Sequence, residues 1–248
     1  MKTPIVPINV DAVIAGLAVR YRGAGGVGMQ VLNLIGEDAE TLLTKLPDPV
    51  RDALGQATRR GLEVAMSAAA SSRAVVPDQK DWLNAAMAAT VGAFGGAGGL
   101  PSALAELPVT TTVLMRAIQG IAAEHGFDPD DADVQKHCLT VFASAGPMIE
   151  DNGIDMAFLA ARIALTGATV HGIILRVAPR LAVAMGQKLA AQGVPVIGAA
   201  AGAAVNFAFT NYYQDMARVQ FGLLALARET GYTHETLVER LRQQLISE

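Results

Sequence analysis

The chain has 248 residues, a net charge of -4, 52% apolar residues and only 17% charged residues. That balance excludes a charge-rich disordered chain and a global basic field for nucleic acid. Aromatics reach only 5%, too few for a base-stacking surface. One cysteine, Cys138, excludes an internal disulfide framework and any multi-cysteine metal site.

Helix signals run the length of the chain, and the sustained alternation that marks a strand is missing. Asn9 predicts the cap of a helix to about Arg22, and the glycines from Gly23 to Gly28 break it. A second helix is predicted from Val27 to Leu46. Asp48 followed by Pro49 predicts the start of a third, running to about Ser71. Asp78 and Asp81 form a capping-box pattern for a helix from about Lys80. Asp128 followed by Pro129 repeats the Asp-Pro start, with Asp130 and Asp131 placed on the helix dipole. Thr233 predicts the cap of a last helix from His234 to Ile246. The expected fold is all-α, a compact bundle of nine to eleven helices forming one domain over residues 1–248.

Three apolar stripes at helical spacing mark core-facing helices. Val205, Phe209, Tyr212, Met216, Val219, Leu223 and Leu226 follow one another at steps of four and three. Thr210, Gln214, Asn211, Asp215 and Arg218 lie opposite. Leu107, Leu114, Ile118 and Ile121 form the second stripe, with Arg116 on its far side. Val134, Cys138, Val141 and Ala145 form the third.

Alanine and the 25 glycines together exceed a quarter of the chain, and mean hydropathy is +0.35. Trp82 to Ala105 and Leu189 to Gln214 carry no charge, so both approach the ~20 apolar residues of a membrane span. The polar Gln192, Asn206, Asn211 and Gln214 in the second window, and the alanine and glycine of the first, argue against spanning. The GxxxG spacings Gly92–Gly96, Gly95–Gly99 and Gly198–Gly202 point to close helix packing, within the bundle or between copies.

Charge is uneven. No acid occurs between Asp155 and Asp215, yet Arg162, Arg176, Arg180 and Lys188 fall there. A basic, apolar segment suits an anionic lipid surface, and the four cations are the candidate lipid-facing set. Pairing with acidic loops elsewhere is the other reading. The start of the chain lacks the order of an export signal, and a reducing, cytoplasmic setting is expected.

Familiar catalytic motifs fail on context. Gly23 to Gly28 matches GxGxxG but follows a helix, not a strand, so a dinucleotide site is excluded. His234-Glu235 lacks the second histidine of HExxH. The acids from Asp128 to Asp133 lack the glycine and distal glutamate of a calcium loop. No metal or other cofactor is expected. What remains is a set of polar residues among apolar neighbours: Glu106, Arg116, His137, Asn206 and Asp215. Buried, they need partners, so they form the candidate inter-helix polar site.

Several runs resemble the EcsC family: Thr90 to Pro101 (TVGAFGGAGGLP), Glu106 to Thr111 (ELPVTT), Arg116 to Ala122 (RAIQGIA) and His125 to Pro129 (HGFDP). So do Cys138 to Ala143 (CLTVFA) and Val194 to Phe207 (VPVIGAAAGAAVNF), with Asp215 following. The resemblance extends over about residues 20–230. It implies a bacterial helical protein associated with the membrane, and it brings no catalytic set to carry over.

The expected function is therefore a non-enzymatic, cytoplasmic protein peripheral on the inner membrane, with an anionic membrane surface or a membrane protein complex as its partner and no nucleic acid. Two alternatives stay open: a soluble enzyme or small-molecule binder using the polar site, and an oligomeric scaffold packing copies through the glycine faces.

Overall fold

The computed structural model describes residues 8–26, 46–75, 84–91, 99–144, 168–192 and 198–247. These residues contain no strand and fold into eight helices: α1 (Val10–Gly23), α2 (Asp48–Val75), α3 (84–91), α4 (Gly99–Glu124), α5 (Ala132–Val141), α6 (Val170–Gln192), α7 (Gly198–Thr230) and α8 (His234–Ser247). The count is below the nine to eleven expected, partly because α4 and α7 each run unbroken for 26 and 33 residues. The helix expected from Val27 to Leu46 and the capping box at Asp78 lie outside the described residues.

The local signals set most helix starts. Asn9 Oδ1 accepts from the Ala12 N–H at 3.0 Å, as an N-cap should. The Thr233 hydroxyl accepts from the Thr236 N–H at 3.2 Å and starts α8. The Asp128-Pro129 start is corrected: α5 begins at Ala132, and its cap is Asp131, which accepts from Asp133 and Val134. Asp128 instead accepts from the Asp130 N–H, closing a short turn ahead of the helix. Glycines set two helix ends. Gly126 (φ 75°) follows α4, where the Phe127 N–H returns to the Ala122 carbonyl at 3.0 Å. Gly231 (φ 75°) follows α7 and bonds the Ala227 carbonyl.

The central helix is α7, which packs against α1, α4, α5, α6 and α8. Its seven-residue apolar stripe is buried throughout, and so are Thr210, Gln214 and Phe221. The polar back that the sequence assigns to α7 is therefore narrower than expected, because neighbours cover it from more than one side. Helices α4 and α7 run in the same direction: Glu106 meets Asn206 near their starts, Glu124 meets Arg218 farther along, and Arg228 reaches the His125 and Gly126 carbonyls at the end. Helix α2 lies along α4 and α6. It approaches α4 closely at Gly61, where a Cβ would sit 3.3 Å from the Thr111 hydroxyl. At the far side α1 and α8 pack on each other and on α7.

Candidate functional site: a buried polar centre

Glu106 lies two turns into α4. Just beyond it Pro108 removes a backbone donor from the helix. The side chains of the following threonines turn back along α4: Thr111 bonds the Leu107 carbonyl at 2.7 Å, Thr112 the Pro108 carbonyl at 2.8 Å, and Thr110 donates to Glu106 Oε1 at 2.7 Å. Two further donors converge on that same oxygen. Lys188 of α6 donates from Nζ at 2.9 Å, and Asn206 of α7 from Nδ2 at 2.7 Å. Asn206 Nδ2 also reaches the Ala88 carbonyl of α3 at 2.8 Å. One carboxylate oxygen thus ties together three helices, and Asn206 extends the link to a fourth.

The centre is shut off from water. Lys188 and Asn206 are 0% exposed and Glu106 is 7% exposed. Burial holds the Lys188 ammonium below the usual lysine range, and the charge and hydrogen bond of Glu106 only partly restore it. Removing one member of such a pair strands the other charge in a medium that cannot solvate it. The hydrogen bonding is also lopsided. Among the described residues Glu106 Oε1 accepts three times, while neither Glu106 Oε2 nor Asn206 Oδ1 has a donor. Both are buried acceptors, a costly condition in a folded chain. Two other residues of these helices, Gln119 on α4 and Gln214 on α7, are buried with neither amide atom satisfied.

Of the five residues expected to form a polar site, Glu106 and Asn206 meet here. The other three do not join them. Arg116 is buried on α4, about 15 Å along the helix from Glu106 at 1.5 Å per residue. His137 Nδ1 lies 3.1 Å from Gln220 Nε2. Asp215 pairs with Arg20 of α1 at 2.6 Å, near the surface.

Lys188 corrects a reading from sequence. It was expected among the lipid-facing cations, yet it is wholly buried and ion-paired. A signal for this lay in its own helix: Val177, Leu181, Ala184 and Lys188 step by four, three and four, and all four are buried. Its partner could not be read locally, because Glu106 is 82 residues away in sequence. Of the other three, Arg176 and Arg180 lie on the exposed side of α6 and Arg162 lies outside the described residues. The glycines divide similarly. Gly99 opens α4, Gly198 opens α7 and Gly202 is buried in α7, whereas Gly92, Gly95 and Gly96 fall outside the described residues.

Among the described residues no group of three or more His, Cys, Asp or Glu is placed to hold a metal ion, and no helix is long and apolar enough to cross a membrane. Fold and site together define an all-helical bundle whose central helices are joined by a buried ion pair. The chain belongs to the EcsC protein family, whose model matches residues 38–223, from before α2 to well into α7. Helices α1 and α8 lie outside that region. Neither a curated protein nor a solved structure matches the chain.

Proposed function

We propose that this protein is a non-enzymatic, peripheral component of the bacterial inner membrane that docks on anionic lipid through the outer side of α6. One observation carries the reading. His171, Leu175, Pro179 and Val183 follow one another every four residues on exposed positions of α6, and Arg176 and Arg180 stand beside them, also exposed. Leu175 is 47% exposed and Val183 45%, so the line presents apolar surface to the outside. The helix contains no acid, nor does the chain from residue 156 to 214. Such a helix lies flat at the interface: the apolar line enters the headgroup region and the guanidiniums meet lipid phosphates.

Vesicle flotation tests the reading. The expected result is co-flotation with phosphatidylglycerol vesicles, no binding to neutral phosphatidylcholine vesicles, and release by salt. Protein that stays behind with both vesicle types, free of detergent, would overturn it. Binding to native membranes but not to protein-free vesicles would hand the same face to a membrane protein complex. The scaffold alternative gains no comparable support, since Gly202 is covered by the chain itself.

A further inference from the structure

Helix α6 meets α2 at an exposed pair of titratable side chains. His171 Nδ1 lies 3.8 Å from Glu63 Oε1, with the His171 side chain 66% exposed and that of Glu63 39%. We propose that this pair makes docking acid-dependent: a proton taken up by His171 offsets the carboxylate at the edge of the lipid face, and docking tightens as pH falls. The inference rests on the docking reading and names the regulation of that same face.

Position puts His171 on the face. Helix α6 starts at Val170, where the Thr169 hydroxyl accepts from the Gly172 N–H at 3.1 Å, so His171 is held in the first turn. Leu175, Pro179 and Val183 follow it at steps of four, and the imidazole belongs to the same exposed line. Histidine is the side chain whose charge ordinarily changes between pH 5 and 8. Helix α6 has no acid of its own, and α2 brings one to its edge at Glu63. On α2 itself Arg59 lies 3.9 Å from Glu63, and Arg60 is exposed beside it. The acids of the other helices packed on α6 are engaged elsewhere: Glu106 with Lys188, Glu124 with Arg218, Asp133 with Lys136 and Asp215 with Arg20. Arg116 is buried in α4, and His137 of α5 faces Gln220. Among the described residues Glu63 is therefore the charged group that His171 meets.

An anionic surface favours imidazolium over imidazole. The docked protein then holds the proton more readily than the free protein, and by linkage acid favours docking. Without the proton, Glu63 faces the headgroups as a like charge; with it, the His171–Glu63 pair is neutral. One unit of positive charge near such a surface changes partitioning about fivefold.

Flotation of the full-length protein with phosphatidylglycerol vesicles at about pH 7.5 and about pH 5.5 tests the proposal. Partitioning is expected to rise about fivefold on acidification. His171→Gln should lose the rise, and His171→Lys should bind at the acid level at both pH values. Glu63→Gln should raise binding at neutral pH. A readout on the unaltered protein stands beside these variants in case one does not fold: NMR of the His171 ring, titrated with and without phosphatidylglycerol nanodiscs, should show a higher midpoint with lipid. Equal binding at both pH values would overturn the acid dependence and leave docking in place. So would a rise that survives in His171→Gln, or a ring midpoint that lipid does not move. No binding at either pH would remove the docking reading and this inference with it.

Discussion

Glu106 concentrates the interior electrostatics of the molecule in one side chain. Glu106→Ala leaves the Lys188 ammonium buried and unpaired, and truncating one member of such a pair costs about 3–5 kcal/mol. For a chain of this size that is a fall in Tm of roughly 6–20 °C, measurable by calorimetry. The double change Glu106→Gln with Lys188→Met removes both charges and is expected to recover part of the loss. The pH dependence has a definite sign. Burial holds Lys188 in the fold below the ordinary value of 10.5, which the unfolded chain keeps. Between those two values the unfolded chain binds more protons, so stability rises with pH through that window. Denaturant melts from neutral pH to about pH 10 should show the wild type gaining on the double variant. A difference that stays constant or reverses would remove the buried charge as its cause. Tyr213, also buried with its phenol pushed up, acts oppositely and only above the ordinary tyrosine range.

The helix ends show how much single residues decide at the scale of the element. Gly126 and Gly231 both sit at φ 75°, a conformation that costs an L side chain roughly 1–2 kcal/mol. A Cβ at Gly231 meets nothing within 4 Å, so Gly231→Ala should cost only that strain, about 1–2 kcal/mol. At Gly126 the Arg228 guanidinium stands 3.4 Å from the Cβ position while bonding the His125 and Gly126 carbonyls and stacking on Phe127. That is an ordinary van der Waals distance to the end of a flexible side chain, so Gly126→Ala is expected to cost about as much as Gly231→Ala, which paired thermal melts check. At the opposite end of the chain, Arg22 of α1 donates to the Gln244 and Leu245 carbonyls and so caps α8. Arg22→Ala should speed hydrogen exchange over the last turn of α8 and leave α4 unchanged. These caps were partly legible: Asn9 and Thr233 were read correctly from residue type and spacing. The α5 start was not, because Asp128 and Asp131 are chemically equivalent caps and only the path of the chain selects between them.

For the whole molecule, α6 links inside and outside. Its inner side sends Lys188 to Glu106, and its outer side carries Leu175, Arg176, Pro179, Arg180 and Val183. If the outer side docks on anionic lipid, Arg176→Gln with Arg180→Gln removes two cations at about 1 kcal/mol each, roughly a 30-fold loss of vesicle partitioning. Arg180 also donates to the Ala143 carbonyl at 3.2 Å, so Tm is to be measured in parallel and the partitioning compared at temperatures where the variant is folded. Replacement of Lys188 should instead lower Tm and leave partitioning unchanged. Unchanged partitioning in the arginine variant would exclude this face from docking.

Composition and periodicity determined that the chain is helical, and the three apolar stripes determined which sides of α4, α5 and α7 turn inward. Those properties are local, fixed by residues within a few turns of one another. The motifs from Thr90 to Phe207 carried the family resemblance. Which polar groups meet was decided only by tertiary structure. Lys188 and Glu106 are distant in sequence, and Asp215 and Arg20 more distant still. Four cations in an acid-free stretch look alike in a one-dimensional reading. Helix packing sets Lys188 apart from Arg176 and Arg180, because a charge turned into a low-dielectric interior must find its opposite there, whereas Arg176 and Arg180 lie on the exposed side of α6.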